Sequence, residues 1–503
     1  MKIKQPHPVL YQINTRVWLR QFGPDACLSD VPTSYWDRLH EQGVHLVWLM
    51  GIWQTVSLDQ VHRYAMIEGL QQEYTHALPD WTSEDVIGSP YAIDEYRPAD
   101  RIGNWKDLAG VRKQLHQRGM GLILDFVPNH FHAESSLIAK HPYLFLKGGE
   151  DQLRDEPTTF YRFDGKIWAH GRDPYFPAWE DTIQIDYFNE QARTFMSEQL
   201  LKLAGVCDGV RCDMAMLMLG TVFGSTWRHV PDYAEWPEEF WSLAIGNLRK
   251  SHPDFLMIAE AYWDLEWQLQ QLGFDYTYDK RLLDRLHEAN VDAIRGHLFA
   301  DPDFRDHSVR FLENHDEDRI LKCMNSKQAE AAAIISYTLP GMRFFYDGQW
   351  EGRRVRLPVQ LGRLPDERPC TCAVNARLQE EAVQGNEVVC SCSVVFYKKL
   401  LAYLQKPVFH KGQWQQLELA HGGEYILAWR WQLKKENVVV IINYANHSVG
   451  GTLHPIYRED KTVVVNEPWT GEQYKYAGSK VFPLHLYPYE YRLLEFTLDE
   501  SSG

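Results

Sequence analysis

The chain has 503 residues, of which 45% are hydrophobic and 13% aromatic, which is enough for one large core with appended modules. Its formal net charge of −16, from 68 acidic and 52 basic residues, opposes binding to nucleic acid and to anionic membrane surfaces. The opening MKIKQPHPVL has no apolar core of a secretion signal, and no apolar run reaches the ~18 residues of a spanning helix. We therefore expect a globular, cytoplasmic protein.

Short β-rich segments alternate with amphipathic helical segments over the first 400 or so residues. This alternation is typical of βα units that form a parallel sheet. Helical patterns occur, for example, at 105–119, 189–206 and 326–341. Eight repeats of the unit predict an α/β fold, the (β/α)8 TIM barrel. The eight predicted strands are 9–17, 45–52, 121–128, 209–215, 255–262, 275–279, 310–316 and 342–349.

Two connections in the predicted barrel, 53–104 and 131–188, are too long and too rich in Gly, Pro and aromatic residues to be simple turns. Long loops of this kind usually shape a binding site. Past residue 408 the pattern changes to short alternating runs such as YILAWRWQL and NVVVIINYA. We predict a catalytic barrel at 1–130 and 189–407, a small inserted domain at 131–188 after the third strand, and a C-terminal antiparallel β domain at 408–503.

Polar residues stand at the ends of four predicted strands, in the blocks DFVPNH (125–130), GVRCDMAM (209–216), IAEAYW (258–263) and ENHD (313–316). Taken singly, each has a plain structural explanation, such as a helix cap, a core histidine or a loop-closing turn. In a TIM barrel, however, the chemistry takes place at the carboxyl ends of the strands. Four polar blocks that converge there predict an active site.

These four blocks, together with YQINTRVWL, GSPYAIDEY (88–96) and LPGMRFFYDGQ (339–349), resemble the α-amylase superfamily of retaining α-glycoside hydrolases and transglycosylases. The resemblance covers roughly residues 9–400. It implies that Asp213 is the nucleophile, that Glu260 is the general acid/base, and that Asp316 is the third carboxylate, which grips sugar hydroxyls. It also implies substrate-site roles for Tyr91, His130, Arg211, His315 and Asp125, the last as a supporting group.

The chemistry of these residue types agrees with those roles. Residues i and i+2 of a strand share a face, so Arg211 would pair with Asp213 and keep its carboxylate ionised. The apolar approach to Glu260, together with Trp263, would raise the pKa of the acid by desolvation. The buried aspartate in the otherwise apolar run GVRCDMAMLML is thereby explained as a reacting group.

The sequence departs from starch-cleaving relatives just after the nucleophile block, where a frequent Lys-His pair is replaced by Ala215 and Met216. A long-chain endo-amylase is therefore disfavoured. The prediction is a hydrolase of α-glucosides or α-glucans. One alternative is an α-glucosyl transferase or phosphorylase of the same superfamily. A carbohydrate-binding barrel without activity is less favoured, because all three carboxylates are present. The sequence contains no glycine-rich phosphate loop, so phosphorolysis has no positive support.

No metal or cofactor is predicted to be required. Asn129 corresponds to a position that binds calcium in many α-amylases, although enzymes without the metal also have asparagine there, so calcium is left open. Cys370, Cys372, Cys390 and Cys392 form CTC and CSC pairs that lack the two-residue gap of common zinc sites. Free thiols are favoured over zinc binding, and disulfides are disfavoured in the cytosol. The sequence carries no signal for an oligomeric state.

Overall fold

The computed structural model describes residues 5–230, 238–367, 391–456 and 462–498. Eight parallel strands form a closed barrel in which each strand pairs with its neighbours in chain order and the first pairs with the last. This confirms the predicted TIM barrel. The barrel strands β1 to β8 are Val9–Asn14, Leu46–Met50, Gly121–Phe126, Gly209–Cys212, Leu256–Ala259, Tyr276–Tyr278, Ser308–Arg310 and Met342–Tyr346.

Helices connect the barrel strands, and the three helical patterns named above fold as Trp105–Gln117, Glu190–Val206 and Ser326–Thr338. Each of the three begins after an asparagine whose side chain accepts backbone N–H groups of the first turn, as an N-cap does. The other α-helices up to the C-terminal region are Thr15–Trp18, Thr33–Glu41, Leu58–Ala65, Glu68–Ala77, Leu137–Lys140, Glu150–Asp155, Gly220–Trp227, Phe240–Ser251, Glu266–Gln271, Lys280–His287, Val291–Leu298, Pro302–Asp306 and Ile320–Cys323.

The seventh strand is shorter than the predicted segment 310–316, because β7 ends at Arg310. The side-chain oxygen of Asn314 accepts the backbone N–H groups of Asp316 and Glu317, both at 2.8 Å. Such a side-chain turn replaces the hydrogen bonds of a strand. The ENHD block is therefore carried on a loop beyond β7.

Both long connections contain antiparallel strand pairs. After β2, Trp53–Thr55 pairs with Ile93–Pro98. After β3, His130–His132 pairs with Thr182–Gln184, and Phe160–Phe163 forms a hairpin with Lys166–Ala169. These strand pairs give both long connections a defined structure at the carboxyl ends of the barrel strands.

The C-terminal region forms two antiparallel sheets, which confirms the predicted β domain. Two helices, Ser391–Leu404 and Val408–Lys411, precede it. Apolar side chains that include Val463, Leu484 and Phe496 form its core. In sheet order, the six-stranded sheet contains Gln413–Gln416, Ile426–Leu433, Glu436–Asn443, Tyr491–Leu498, Thr462–Glu467 and Glu472–Ala477, and the three-stranded sheet contains Leu419–His421, Val449–Leu453 and Phe482–Leu486.

The C-terminal domain is fixed to the barrel by buried polar contacts as well as by packing. The indole N–H of Trp431 donates to the carbonyl of Thr338 at 2.6 Å, and the guanidinium of Arg343 donates to the carbonyl of Phe409 at 3.0 Å. Thr338 and Arg343 flank the start of β8. The contact therefore lies at the amino ends of the strands and leaves the carboxyl ends free for a site.

Three of the four clustered cysteines, Cys370, Cys372 and Cys390, lie outside the described residues, and Cys392 is the second residue of the helix Ser391–Leu404. Their chemistry stays a prediction. Within the described ranges, no helix combines the length and the apolar character needed to cross a bilayer.

Gly341 supports the closure of the barrel at β8. Its φ is +113°, and a Cβ atom there would lie 2.3 Å from the carbonyl oxygen of Ser308. We expect Gly341→Ala to lower the free energy of unfolding by about 2 kcal/mol or more, because both the backbone strain and the clash are unfavourable. Calorimetric melting would measure the loss.

Gly110→Ala is the matched control for that substitution. Gly110 lies within the helix Trp105–Gln117, and a Cβ atom there meets nothing within 4 Å. Alanine is the better helix former, so this variant should gain about 0.5–1 kcal/mol. An unchanged melting temperature for Gly341→Ala would contradict the role assigned to the glycine.

Candidate active site

Four acidic residues meet at the carboxyl ends of the barrel strands. Asp125 is the fifth residue of β3, Asp213 directly follows β4, Glu260 directly follows β5, and Asp316 lies on the loop after β7. The first three are buried, whereas the Asp316 side chain is 48% exposed. The group therefore extends from the barrel interior to the protein surface.

The Arg211 side chain stands at the centre of this group and is 1% exposed. One terminal nitrogen, Nη1, donates to Oδ1 of Asp213 at 2.7 Å, and the other, Nη2, lies 2.6 Å from Oε2 of Glu260. Asp125 is farther away, with Oδ1 at 3.5 Å from Nη1. The pair predicted between Arg211 and Asp213 is present, and the same guanidinium also binds Glu260.

Two aromatic rings face the Arg211 guanidinium. Its central carbon lies 5.2 Å from the ring centroid of Trp48 and 5.2 Å from that of Tyr91. A cation over the face of an aromatic ring is attracted by the ring quadrupole. These rings also keep water from the ion pairs, which strengthens each charge–charge interaction.

The protonation of Asp213 is set by opposing effects. Burial raises its pKa to about 7; the Arg211 guanidinium works against this rise, and the nearby Glu260 carboxylate adds to it. A carboxylate with a raised pKa is a group that the fold tolerates at a cost in stability. Positions of this kind are concentrated at functional sites.

The Glu260 carboxylate is oriented by two further donors. The backbone N–H of Met214 donates to Oε2 at 2.7 Å, and the hydroxyl of Tyr262 donates to Oε1 at 2.8 Å. Met214 adopts a left-handed conformation with φ +44° just after Asp213. The sequence analysis missed both donors. Tyr262 could have been found, because it stands two residues after Glu260 in the block IAEAYW.

His315 lies between Tyr91 and Asp316 and contacts both. Its Nε2 lies 2.7 Å from the hydroxyl oxygen of Tyr91 and 3.0 Å from Oδ2 of Asp316, and its ring stacks on Tyr91 with centroids 5.3 Å apart. The amide nitrogen of Gln12 lies 2.7 Å from Nδ1. That amide donates to Nδ1, so the proton of a neutral His315 is on Nε2.

The pKa of Asp316 reflects this contact. Partial desolvation within the site would raise the pKa, but the charges of His315 and Arg211 and the hydrogen bond from His315 bring it below its ordinary value. Gln12 was not among the predicted site residues. Its signal was an amide in the middle of the otherwise apolar stretch Val9–Ile13 of the first strand.

The remaining predicted residues line the same end of the barrel. His130 is buried, and desolvation lowers its pKa to about 3, so its ring is neutral at neutral pH. The ring is 5.4 Å from that of Trp179 on the inserted segment. Oδ2 of Asp125 accepts the backbone N–H of Gly51 at 3.2 Å, as expected of a supporting group.

The residues around Asn129 do not fit a calcium ion as they stand. The side-chain oxygen of Asn129 accepts a hydrogen bond from the amide of Gln184 at 3.0 Å, and its backbone oxygen accepts another from the same amide at 2.9 Å. In the described part of the chain, no three His, Cys, Asp or Glu side chains are arranged to hold a metal ion. No step below depends on a metal.

A comparison with protein families matches residues 33–360 to the family model "Alpha amylase, catalytic domain". The chain belongs to the alpha-amylase family. The four acidic residues all lie within the part of the chain that matches the family model.

Individual relatives are distant. The chain is 25% identical to the alpha-amylase MalA of Haloarcula japonica over 357 residues, which cover 69% of this chain and 44% of that protein. It is 26% identical to the 1,4-alpha-glucan branching enzyme GlgB of Chlamydia trachomatis over 276 residues, or 50% of this chain and 34% of the enzyme. The chain thus spans less than half the length of these two relatives.

Among solved structures, the maltogenic alpha-amylase AmyB of Thermotoga neapolitana aligns with a TM-score of 0.66 and 20% identity, covering 98% of this chain and 99% of that one. At this identity the similarity establishes the shared fold.

We predict that Asp213→Asn removes nearly all activity while leaving the protein folded. The fold raises the pKa of Asp213 to about 7, so ionising this carboxylate costs stability; the cost is absent below the unfolded pKa and is complete once pH has risen through about 7. Asparagine removes that dependence. Calorimetry should therefore give the variant a melting temperature at or above that of the wild type at pH 7.5, with no such advantage at pH 4.

Asp208→Asn provides the control at the opposite end of the same strand. Asp208 accepts hydrogen bonds from Arg112, His116 and the amide of Leu122, each at 2.8 Å. Breaking a buried ion pair costs about 3 kcal/mol, so this variant should melt earlier and keep its turnover per folded molecule. A folded Asp213→Asn protein with wild-type activity would refute the assignment.

Proposed function

We propose that the chain is a retaining enzyme that hydrolyses α-linked glucosides. The observation that carries the proposal is the binding of Asp213 and Glu260 to the two terminal nitrogens of one guanidinium group. Retaining enzymes use acid groups ~5–5.5 Å apart, whereas inverting enzymes need ~6.5–9.5 Å to admit a water molecule between them. Two acids on adjacent nitrogens of a planar group favour the shorter separation.

In the first step, Asp213 attacks the anomeric carbon while the Glu260 carboxyl group gives its proton to the glycosidic oxygen, and the C–O bond to the leaving group breaks. In the second step, the Glu260 carboxylate takes a proton from water, whose oxygen attacks the same carbon and displaces Asp213. Two inversions return the α configuration. Both acids end in their starting protonation states.

The sugar at the reaction centre would rest against the Tyr91 ring, between Asp316 and His130. Asp316, whose side chain is 48% exposed, offers hydrogen bonds to ring hydroxyl groups, and the buried His315 ring, 3.0 Å away, orients that carboxylate. The Tyr91 hydroxyl oxygen accepts the Nε2–H group of His315, and this hydrogen bond keeps the Tyr91 ring in place. Fixed polar groups that fit the distorted sugar lower the barrier more than they tighten substrate binding.

The acceptor side of the site is apolar. Ala215 and Met216 are fully buried in the short 3-10 helix Ala215–Met218, so neither offers a polar group to a sugar. Next to the acid/base, Trp263 makes an edge contact with Tyr175 of the inserted segment, with ring centroids 4.9 Å apart. Tyr175 and its neighbour Phe176 are each 68% exposed. These rings form a platform for the leaving group or acceptor sugar.

Glucosyl transfer is the second candidate function, and the same platform favours it. Exposed aromatic rings bind the apolar face of a sugar acceptor better than they bind water. The similarity to a 1,4-alpha-glucan branching enzyme also supports it. Transfer and hydrolysis share the first step and differ only in what attacks the glycosyl-enzyme.

The anomer of the first product tests the mechanism. With maltooligosaccharides as substrates, NMR should detect the α anomer before mutarotation, because the reaction proceeds through two displacements at one carbon. Product analysis with and without added glucose would separate hydrolysis from transfer. An initial β product would overturn the proposal.

Glu260→Gln should lose activity on maltooligosaccharides but still react with α-glucosyl fluoride, whose leaving group needs no proton. Azide should then accelerate turnover and yield a glucosyl azide, because azide attacks without a general base. The measurement is the rate of each variant with and without azide. Asp213→Asn is the matched variant, and azide should not rescue it, because its nucleophile is missing. Equal rescue of both variants would contradict the separate roles of Glu260 and Asp213.

The aromatic platform is tested by Phe176→Ala. Loss of stacking should lower kcat/KM for maltotriose on the order of tenfold, with no effect on α-glucosyl fluoride, which has no sugar on the acceptor side. Phe299→Ala removes another ring, 65% exposed, from a different surface and serves as the control. Equal losses on both substrates would argue against an acceptor-side role.

A further inference from the structure

A cavity lies between the helical turns after β1 and the strand pair after β2, and none of the four acidic residues of the active site lines it. Its volume is about 420 Å³, within the range of small-molecule sites. Three arginines contribute to the wall: Arg16, Arg20 and Arg101. Apolar surface from Leu19, Trp53 and Ile102 forms another part of it. No group that reacts in the proposed mechanism lines this cavity.

The arginines of this cavity are not neutralised by acidic partners. In the part of the chain that the structure describes, neither Arg20 nor Arg101 makes a side-chain hydrogen bond or an ion pair. Asp85 acts on Arg20 from a distance, but both of its oxygens are bound by Arg363 at 2.9 and 3.0 Å.

Two acidic residues also line the wall. Asp100 already accepts a hydrogen bond from Arg97 at 2.7 Å. Asp25 is exposed, as Arg101 is, so solvent screens both charges. Arg16 and Arg20 are the charged lining residues that are partly buried, so the inner wall is positive in a chain whose formal net charge is −16.

Arg16 is committed to backbone oxygens rather than to a carboxylate. It donates to the carbonyl of Ile87 at 2.6 Å and to that of Gly88 at 3.0 Å. Burial and, to a smaller extent, the charge of Arg101 together lower its pKa to about 9. Like charges gathered in a partly buried cavity repel one another, and an anion that binds among them removes that cost.

We propose that this cavity is a binding site for a small phosphate ester. Guanidinium groups match the oxygens of a phosphate group in charge and in hydrogen-bond geometry. The apolar wall and the volume leave room for an organic part beyond the phosphate, which distinguishes an ester from the free ion. The site is separate from the groups that react and does not depend on the proposed reaction.

The bound ester would act on the active site through the backbone that Arg16 holds. Ile87 and Gly88 lead directly into Tyr91, whose ring faces Arg211. On the other wall, the indole of Trp53 donates to the backbone oxygen of Asp125 at 2.8 Å. An ester that fills the cavity should therefore restrain the backbone from Ile87 to Tyr91. Through Tyr91 it would act as an effector of the active site.

Calorimetric titration of the full chain tests the site. The probes are glycerol 3-phosphate, glucose 6-phosphate and inorganic phosphate, with glycerol and glucose as uncharged controls. We expect both esters to bind at least several-fold more tightly than inorganic phosphate, and more weakly as salt rises. Inorganic phosphate that binds as tightly as the esters would overturn the ester assignment, and glucose that binds as tightly as glucose 6-phosphate would overturn the anion site.

Arg101→Ala should weaken ester binding on the order of tenfold or more, the loss expected for a charge-assisted hydrogen bond. Arg101 is exposed, so the variant should fold. Arg162→Ala, at an exposed arginine paired with Glu150, is the matched control and should bind as the wild type does. Wild-type affinity in Arg101→Ala would refute the site.

The coupling has its own readout. Hydrogen exchange of the amides from Ile87 to Tyr91 should slow when glycerol 3-phosphate binds, and unchanged exchange in the bound protein would exclude the effector role. The titration and the exchange experiment can both be repeated in Asp213→Asn, where no turnover occurs. Failure of the ester site is thus distinguishable from failure of the proposed reaction.

Discussion

The buried positive charge of Arg211 is the constraint on which the rest of the site depends. A guanidinium with 1% exposure must have anionic partners, because an unpaired charge in the interior is very unfavourable. Asp213 and Glu260 provide them from the ends of two adjacent strands. The parallel pairing of β4 with β5 fixes both carboxylates against one planar group, so the barrel sets their separation.

The two ends of β4 show how one strand serves both stability and chemistry. At its start, Arg112 and His116 overcome the effect of burial and bring the pKa of Asp208 below its ordinary value, so its charge stabilises the fold. At its end, burial outweighs Arg211, and the pKa of Asp213 is raised. The amino end of the barrel, which also carries the C-terminal domain, holds the structure together, and the carboxyl end holds buried acidic groups that cost stability, as functional sites often do.

The two surfaces proposed for acceptor and ester binding are on loops. The barrel and its acidic residues are the part matched by the alpha-amylase family model. The exposed rings of Tyr175 and Phe176 belong to the long connection after β3, and the arginine cavity involves the turns after β1 and the connection after β2. Loops tolerate change without loss of the core.

The barrel, the order of its strands and the acidic residues at their ends could be predicted from the sequence, because hydrophobic periodicity and short motifs are local signals. The binding of both Asp213 and Glu260 by one arginine, the orienting contacts of Gln12 and Tyr262, and the hydrogen bond from Gln184 to the oxygen of Asn129 became visible in the folded chain. The loop that carries Asp316, predicted as strand, likewise depends on a side-chain turn at Asn314. These contacts join residues from separate strands and loops, and their geometry is set by barrel closure, which no local pattern encodes.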